Sequence, residues 1–515
     1  MDSLILLLLF IFIIYMLMEP FLRKLGLSVS PVKLFISYLF KPPLKDDGMM
    51  TKQDEIKMFS NYNDGLLIDG MKKRLSSKES FNHLAVISRA GGGKTTSYVI
   101  PNIFKLSNEL CSMVITDLSG ELYEKTSGYL KQKGFNIYVL NPDNLDESIR
   151  YNPLEYANSS VDIDSISEIL IESSGLKSTK AEDKIWSDGA KNFLSLFIKT
   201  LKGTKDKKYI NLANVRHLIN NFGTDGARLD MFFKKYADDK TFNEYSGLVT
   251  GTSSKTLQSY LATANTALSP IGINDNLEKL TLTHSFDFKS LREKKTIVYI
   301  KVKEQHQERN AFLLNLFYTQ LFNEMMENLP KQNDLSVYCL LDEFGNITIP
   351  KFSSVITTIR KYKVSISIIL QNISQLEEKY TKSKANTILH GGISSKLIYS
   401  GADLELASSL EKMFGTKETL KEQADGKYYY DKENVMSISE IRTIKDDEAI
   451  FLSANKKPLK MKVKPYYKDY MFNTYSKIPT HQISEQNHND DIKYFDLDNI
   501  KWWYGSFRKT NKWNS

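Results

Sequence analysis

The sequence contains little of what holds small secreted proteins or zinc domains together. Among its 515 residues there are two cysteines, Cys111 and Cys339, and seven histidines. Each cysteine lies inside an apolar run far from the other, which is typical of buried thiols in a reducing compartment. The histidines are scattered and show no ligand spacing with the cysteines. We therefore expect neither a disulfide nor a zinc site.

A strong charge of one sign is also missing. The chain has 69 lysines and arginines against 61 aspartates and glutamates, for a formal net charge of +8. This balance permits a nucleic-acid or anionic-membrane partner without requiring one. We find no internal repeat. The length exceeds what one hydrophobic core usually supports, so two or more folding units are expected.

Long apolar runs are absent except at the amino terminus, where residues 4–18 are almost wholly apolar. The run is slightly short for a bilayer crossing unless its flanks contribute. It lacks the basic start and the small-residue cleavage site of a signal peptide, and lysines and arginines follow it. Residues 1–22 are therefore predicted to be a single transmembrane anchor, with the bulk of the chain in the cytoplasm. A buried core helix is the alternative, disfavoured because the run has no polar face. Residues 23–60 are predicted to be a juxtamembrane linker, and whether residues 21–40 also enter the membrane stays open.

The rest of the chain has an α/β pattern. Short β-rich apolar runs alternate with helical stretches, which predicts a mostly parallel sheet covered on both faces. The predicted strands are residues 83–88, 112–117, 135–141, 296–302, 336–342 and 364–371. After residue 372 we expect helices and then a strand pair within residues 449–467. Residues 158–285 show helical spacing and no convincing strand, which predicts an all-α domain inserted into an α/β domain of residues 61–157 and 286–482. A basic aromatic tail, residues 483–515, closes the chain.

A glycine-rich stretch, "SRAGGGKTTS" at residues 88–97, lies between a predicted strand and a predicted helix. Small residues let successive backbone N–H groups turn inward around a phosphate, and the helix start favours anions. Lys94 would reach the phosphates and the Thr95 hydroxyl would ligate Mg²⁺. Ser88 replaces the first glycine of G-x-x-x-x-G-K-[ST], which costs backbone freedom without removing a donor. The alternative is a glycine-rich turn with a solvated lysine. The predicted cofactors are ATP and Mg²⁺, and the predicted nucleotide-binding residues are Arg89, Ala90, Gly91, Gly92, Gly93, Lys94, Thr95 and Thr96.

A second motif, "VYCLLDEFGN", places Asp342 and Glu343 directly after an apolar run. Ligands of parallel sheets bind at the carboxyl ends of the strands, which makes a purely surface role unfavourable here. We predict that Asp342, with Thr95, holds the metal and that Glu343 activates a water. Gln371 ends the following strand, where it could sense the nucleotide or orient the water. An ordinary capping role for that amide stays open.

Several stretches together resemble the coupling ATPases of type IV secretion and conjugation, the TraG/TraD-like branch of the FtsK/HerA group. They occur in the family's order and cover roughly residues 65–467. The stretches are "GKTTSYVIPN", "DLSGELYEKTSGY", "YNPLEY", "WSDGAKNFL", "LLDEFGNI", "ILQNISQLEEKY" followed by "ANTILHGGISSKLIYSG", and "EIRTIKDDEAIFLSANKKP".

The resemblance implies a RecA-like P-loop ATPase domain, an inserted all-α domain and an N-terminal membrane helix in the bacterial cytoplasmic membrane. It also implies a homo-hexamer that recruits relaxase-bound single-stranded DNA, or a protein substrate, to the proteins of a type IV secretion channel. Gln371 falls at the family's sensor glutamine, and Arg360 falls at its arginine finger, which acts on a neighbouring subunit's nucleotide. The chain departs from the family in having one clear membrane helix where two are usual, and in Ser88 and Ser119.

Two other functions are weighed against this motor. One is a substrate-docking receptor in which nucleotide only sets assembly. The other is an FtsK-like DNA translocase, which is disfavoured because no winged-helix-like module follows residue 467. In the tail, Trp502, Trp503 and Tyr504 could stack on bases, but packing on the protein or binding a partner protein is favoured.

Overall fold

The computed structural model describes residues 21, 46–174, 181–222, 226–423, 428–483, 491–498 and 500. The predicted anchor, apart from Phe21, and most of the predicted tail lie outside these residues. Within the part of the chain that is described, no helix is both long enough and apolar enough to cross a membrane.

A nine-stranded mixed sheet forms the centre of the molecule. Its strand order is β11-β10-β7-β1-β6-β5-β2-β4-β3. The seven strands from β7 to β3 run parallel, whereas β10 pairs antiparallel with β7 and with β11. The prediction of a mostly parallel sheet is therefore confirmed. The strands are β1 Leu84–Ile87, β2 Cys111–Thr116, β3 Asn136–Leu140, β4 Thr296–Ile300, β5 Ser336–Leu341, β6 Val364–Leu370, β7 Ser395–Ile398, β8 Thr416–Glu422, β9 Tyr428–Asn434, β10 Glu448–Ser453 and β11 Leu459–Lys462.

Three strands are missing from the sequence-based prediction. β7 has only four residues and begins with Ser395 and Lys396, so it lacks an apolar signal although it is buried between β1 and β10. β8 and β9 form a separate antiparallel hairpin whose residues are all exposed or half-buried. Charged residues occupy both of its faces, which hides the alternation expected of a half-buried strand.

Helices cover both faces of the sheet, and between β3 and β4 the regular elements that the structure describes are all helical. This is the stretch predicted as an inserted all-α domain. The α-helices are Lys52–Met58, Ser77–Ser80, Ile100–Leu106, Glu121–Gln132, Ser160–Ser173, Ala181–Gly203, Leu212–Asn220, Gly226–Tyr236, Asp239–Gly251, Ser254–Ala267, Ser269–Ile273, Asp275–Leu280, Ser290–Glu293, Ala311–Glu327, Phe352–Thr358, Ile373–Asn386, Leu404–Phe414, Ile438–Arg442 and Tyr470–Tyr475.

Two large apolar cores lie on opposite faces of the sheet. One contains Val86, Tyr98 and Phe104 and packs the glycine-loop helix and the helix Glu121–Gln132 against the sheet. The other is continuous from sheet residues such as Cys339 into the helical region, where Phe193 is fully buried. The helical region therefore shares its core with one face of the sheet.

The last part of the predicted linker is folded, which corrects the prediction for residues 46–60. Thr51 caps the helix Lys52–Met58, and the Met50 amide donates to the Pro458 carbonyl at 2.9 Å. Met50 and Phe59 are buried, and the Phe59 ring lies 5.4 Å from that of Phe451 in β10. The polar composition of the segment conceals these two anchoring side chains.

Candidate functional site

The glycine-rich loop follows β1, which lies inside the parallel sheet between β6 and β7. Gly91 and Gly93 have φ angles of +72° and +88°, a region that disfavours residues with a side chain. A Cβ at Gly92 would lie 2.1 Å from Ser88 Oγ. The loop leads into a π-helical turn, Thr95–Val99, and then into the helix Ile100–Leu106. Glycine at positions 91 and 93 permits these positive φ angles, and glycine at position 92 leaves room for the Ser88 side chain.

Lys94 is held inside the site. Its side chain is 6% exposed, and its ammonium donates to the Ser88 carbonyl at 3.1 Å. It also lies 3.5 Å from Glu343 Oε1. Ser88, which stands where the loop motif has its first glycine, thus contributes a backbone carbonyl that any residue would supply. Ser88 is also not among the residues with a positive φ angle, so the loop does not need the backbone freedom of glycine at this position.

The two carboxylates meet the loop at the carboxyl edge of the sheet. Asp342 follows β5, and its Oδ2 accepts from Thr95 Oγ1 at 3.4 Å. Glu343 has a left-handed backbone, with φ of +49°, which turns its side chain next to that of Asp342. Gln371, at the end of β6, donates from Nε2 to Glu343 Oε2 at 3.0 Å. The ends of three strands, β1, β6 and β5, thereby converge at one place.

The pKa of Asp342 is raised to about 6, first by burial and second by the neighbouring Glu343 carboxylate. The Lys94 ammonium and the Thr95 hydroxyl act in the opposite direction but do not cancel these effects. The nucleotide-free site therefore holds more negative charge than its surroundings stabilise. Such a site favours a bound cation.

A cavity of about 260 Å³ opens at this point. It brings Asp117, which the site prediction did not include, next to the predicted residues. Asp117 follows β2, the strand beside β5, and its carboxylate accepts from the amides of Leu122 and Tyr123. In the sequence, the position of Asp117 directly after an apolar run is a signal for a site residue. The sequence does not show that β2 and β5 are neighbours in the sheet. The residues lining the cavity are Thr95, Asp117, Leu118, Ser119, Leu122, Asp342, Glu343 and Gln371.

Of the predicted site residues, Thr95, Asp342, Glu343 and Gln371 line the cavity, residues 90–94 and 96 form the rest of the adjoining loop, and two arginines have exposed side chains outside the lining. Arg360 is exposed in the turn Ile359–Tyr362 immediately before β6, at the amino edge of the strands, opposite the loop. Arg89 belongs to the loop, but its side chain is 59% exposed and pairs with Asp446 at 3.2 Å. Neither side chain lines the cavity of its own chain.

The residues present fit a magnesium-bound nucleoside triphosphate. The glycines leave a cradle free of side chains, and the buried Lys94 ammonium supplies a cation for phosphate oxygens. Within the described residues, no group of three or more histidines, cysteines, aspartates and glutamates could hold a metal by itself. Thr95 and Asp342 would supply only two ligands, which suits Mg²⁺ because this ion usually completes its shell with phosphate and water oxygens.

Comparison with known proteins decides the family. The family model for type IV secretory system conjugative DNA transfer matches residues 43–493. The chain belongs to this family. The resemblance to type IV coupling proteins inferred from the sequence is thereby confirmed.

Curated relatives and solved structures agree with this membership. The chain is 24% identical over 405 residues to VirD4 of Rhizobium radiobacter, which covers 75% of this chain and 57% of that protein. It is 26% identical over 412 residues to VirD4 of Agrobacterium fabrum, covering 76% and 59%. The chain therefore spans less than three fifths of the length of these relatives.

Among solved structures, the conjugative coupling protein TrwB in its ΔN70 form superposes with a TM-score of 0.63 at 16% identity, covering 85% of this chain and 95% of that one. TrwB in complex with ADP and Mg²⁺ superposes with a TM-score of 0.61 at 16% identity, covering 82% and 96%. At this level of identity the similarity establishes a shared fold, the RecA-like α/β fold of TrwB.

Replacing Asp342 with asparagine is expected to stabilise the nucleotide-free protein. The pKa of this group lies near 6 in the folded chain against 3.8 as its ordinary value, so the folded state binds more protons between pH 4 and 6. The free energy of unfolding therefore falls as pH rises through this window. We expect Asp342→Asn to raise it by about 1–3 kcal/mol at pH 7.5 and by nothing below about pH 4. Urea denaturation at both pH values, with the exposed Asp146→Asn as control, measures the difference. A lower free energy of unfolding for Asp342→Asn at pH 7.5 would contradict a raised pKa of Asp342 in the folded chain.

Proposed function

We propose that the chain is an ATP-driven coupling protein that delivers relaxase-bound single-stranded DNA, or a protein substrate, to a type IV secretion channel in bacterial conjugation. The observation that carries the proposal is the convergence of Lys94, Thr95, Asp342 and Glu343 at one edge of the sheet. Family membership adds conjugative DNA transfer as the process.

Each side chain has a task in ATP hydrolysis that follows from its contacts. The loop amides and Lys94 bind phosphate oxygens, and Thr95 and Asp342 provide oxygens for Mg²⁺. When bound, Mg²⁺ neutralises charge that develops on the phosphate oxygens. Glu343 is fixed by Gln371 on one oxygen and lies near Lys94 on the other. A carboxylate oriented in this way can accept a proton from an attacking water.

Gln371 and Arg360 extend the proposal beyond one site. Gln371 joins the end of β6 to Glu343 through a hydrogen bond. A movement of the Glu343 carboxylate during turnover would therefore also move the segment that follows β6. Arg360 is exposed at the opposite edge of the same sheet. We assign it to the nucleotide of a neighbouring copy in a hexameric ring. Arg360 precedes β6, whereas the glycine loop and the carboxylates of its own chain lie at the opposite ends of the strands.

Membrane attachment and partners are part of the same proposal. The apolar run at residues 4–18, followed by basic residues, supports a single-pass anchor in the bacterial cytoplasmic membrane with the described chain in the cytoplasm. A relaxase, single-stranded DNA and the proteins of the secretion channel are the proposed partners.

The decisive experiment measures ATP turnover and oligomeric mass of the purified chain with and without single-stranded DNA. A DNA-coupled motor is expected to assemble into a hexamer with ATP and to hydrolyse it at least several-fold faster when DNA is present. Double-stranded DNA of equal length serves as the control for strand preference. If the chain binds nucleotide but its rate of ATP hydrolysis is the same with and without single-stranded DNA, the result would favour the docking receptor instead.

A further inference from the structure

The described part of the tail lies in a groove of the helical region. Residues 491–500 form neither helix nor strand where the structure describes them. The groove lies beside the helices Leu212–Asn220 and Gly226–Tyr236, whose side chains contact this segment. Residues 491–496 lie on a folded surface without regular secondary structure, and the Ile500 amide then donates to the Leu497 carbonyl at 3.3 Å in a turn. The polar sequence "SEQNHND" precedes the segment.

The buried side-chain amide of Asn214 forms hydrogen bonds with the backbone of this segment. Asn214 Nδ2 donates to the Lys493 carbonyl at 3.0 Å, and Asn214 Oδ1 accepts from the Phe495 amide at 2.7 Å. Asn211 fixes the orientation of Asn214, because its Oδ1 accepts from both the backbone amide and the side chain of Asn214. A pair of bonds to a carbonyl and an amide two residues apart requires an extended chain but no particular side chain.

An aromatic pocket supplies the selectivity that the amide lacks. The Phe495 ring lies 5.1 Å from the ring of Tyr209, 4.9 Å from that of Phe232 and 5.6 Å from that of Tyr236. Leu497 is 6% exposed, as is Ile500, so both join the same apolar core. A large aromatic side chain followed two residues later by leucine therefore fits the groove.

Polar contacts surround this apolar centre. The Tyr494 ring stacks on His217 at 4.8 Å, and its hydroxyl donates to Glu278 Oε1 at 2.9 Å. Arg228 pairs with Asp498 on the other side. An apolar centre with a polar rim is the anatomy of a binding interface between separate chains.

We propose that this groove is an exchangeable peptide-binding site, which the chain's own residues 493–498 fill in cis. The partner it fits is another polypeptide that presents an extended segment with an aromatic residue two positions before a leucine. Because the covalent connection gives the internal segment an effective concentration of millimolar order, the groove stays filled until such a partner competes. The proposal does not depend on ATP hydrolysis.

Peptide binding to the full chain tests this proposal. The probe is a fluorescein-labelled synthetic peptide of residues 491–500, and its control is the same peptide with alanine at the positions of Phe495 and Leu497. The proteins are the wild-type chain and the double variant Phe495→Ala, Leu497→Ala, which vacates the groove. We expect the vacated chain to bind the probe at least about tenfold more tightly than the wild-type chain does, and at least about tenfold more tightly than it binds the control peptide.

Each other result has a fixed meaning. A vacated chain that melts cooperatively but does not bind the probe would overturn the proposal. If the vacated chain fails to fold, a wild-type chain with a protease site in place of residues 484–490 is cleaved and mixed with the probe. Exchange of the cleaved segment for the probe within hours would support the proposal. Retention of the original segment would show that it is a permanent part of the core.

Discussion

Replacement of Glu343 by glutamine is expected to lower the rate of ATP hydrolysis by about 10²–10⁴-fold, the usual contribution of a positioned general base. Glutamine keeps the shape of the side chain and can still accept from Gln371 through its carbonyl oxygen. It cannot accept a proton from water at neutral pH. Nucleotide affinity should change little, because the loop amides and Lys94 stay in place. The comparison is kcat at saturating ATP against the nucleotide Kd from titration calorimetry.

A matched control for this change is Glu378→Gln, an exposed residue on the helix after β6 that does not line the cavity. It should hydrolyse ATP at the wild-type rate. If Glu343→Gln retained more than about a third of the wild-type kcat, the proton acceptor would have to be sought elsewhere, with Asp117 the next carboxylate in the cavity.

Replacement of Lys94 by alanine is expected to weaken the binding of ATP. The ammonium is almost fully buried and lies between the Ser88 carbonyl and the Glu343 carboxylate. Its loss removes the buried cation that opposes the Asp342 and Glu343 carboxylates. Truncating one partner of a buried charge pair costs about 2–5 kcal/mol, so ATP affinity should fall by about 30-fold or more. Fluorescent-nucleotide titration measures this loss.

Lys131→Ala, which removes an exposed lysine on the helix Glu121–Gln132, controls for the change in net charge. Melting curves of both variants without nucleotide separate a loss of binding from a loss of fold. ATP affinity within threefold of wild type in a folded Lys94→Ala chain would mean that the loop does not hold the phosphates.

The sequence predicts the edge of the sheet that carries the candidate site because the rule behind this prediction is local. An apolar run that ends in a polar residue marks the carboxyl end of a strand, and parallel strands place such ends side by side. Asp342 and Gln371 follow from this rule together with the glycine loop. Asp117 obeys the same rule, but its place in the cavity depends on β2 lying beside β5, and strand order is set by long-range packing that no short stretch encodes.

Other features escape prediction for the opposite reason, that their local signal is weak or misleading. β7 has two polar residues out of four and is a strand only because β1 and β10 pair with it on either side. Residues 46–60 are polar on average, yet Met50 and Phe59 fix them to the domain. The position of Phe495 in an aromatic pocket likewise requires a surface built from residues more than two hundred positions earlier.

The apolar core that the sheet shares with the helical region provides a mechanical connection between the candidate site and the helices. Phe344, directly after Glu343, belongs to the same apolar cluster as the interior of the helical region. Asn315, on the helix Ala311–Glu327, donates from Nδ2 to the hydroxyl of Ser173, on the helix Ser160–Ser173, at 2.9 Å, so a polar bond reinforces this contact. The sheet and the helical region are therefore packed together through one continuous apolar core. We therefore expect a rearrangement beside Glu343 to be transmitted to the helices through this continuous core, rather than absorbed in a loop between them.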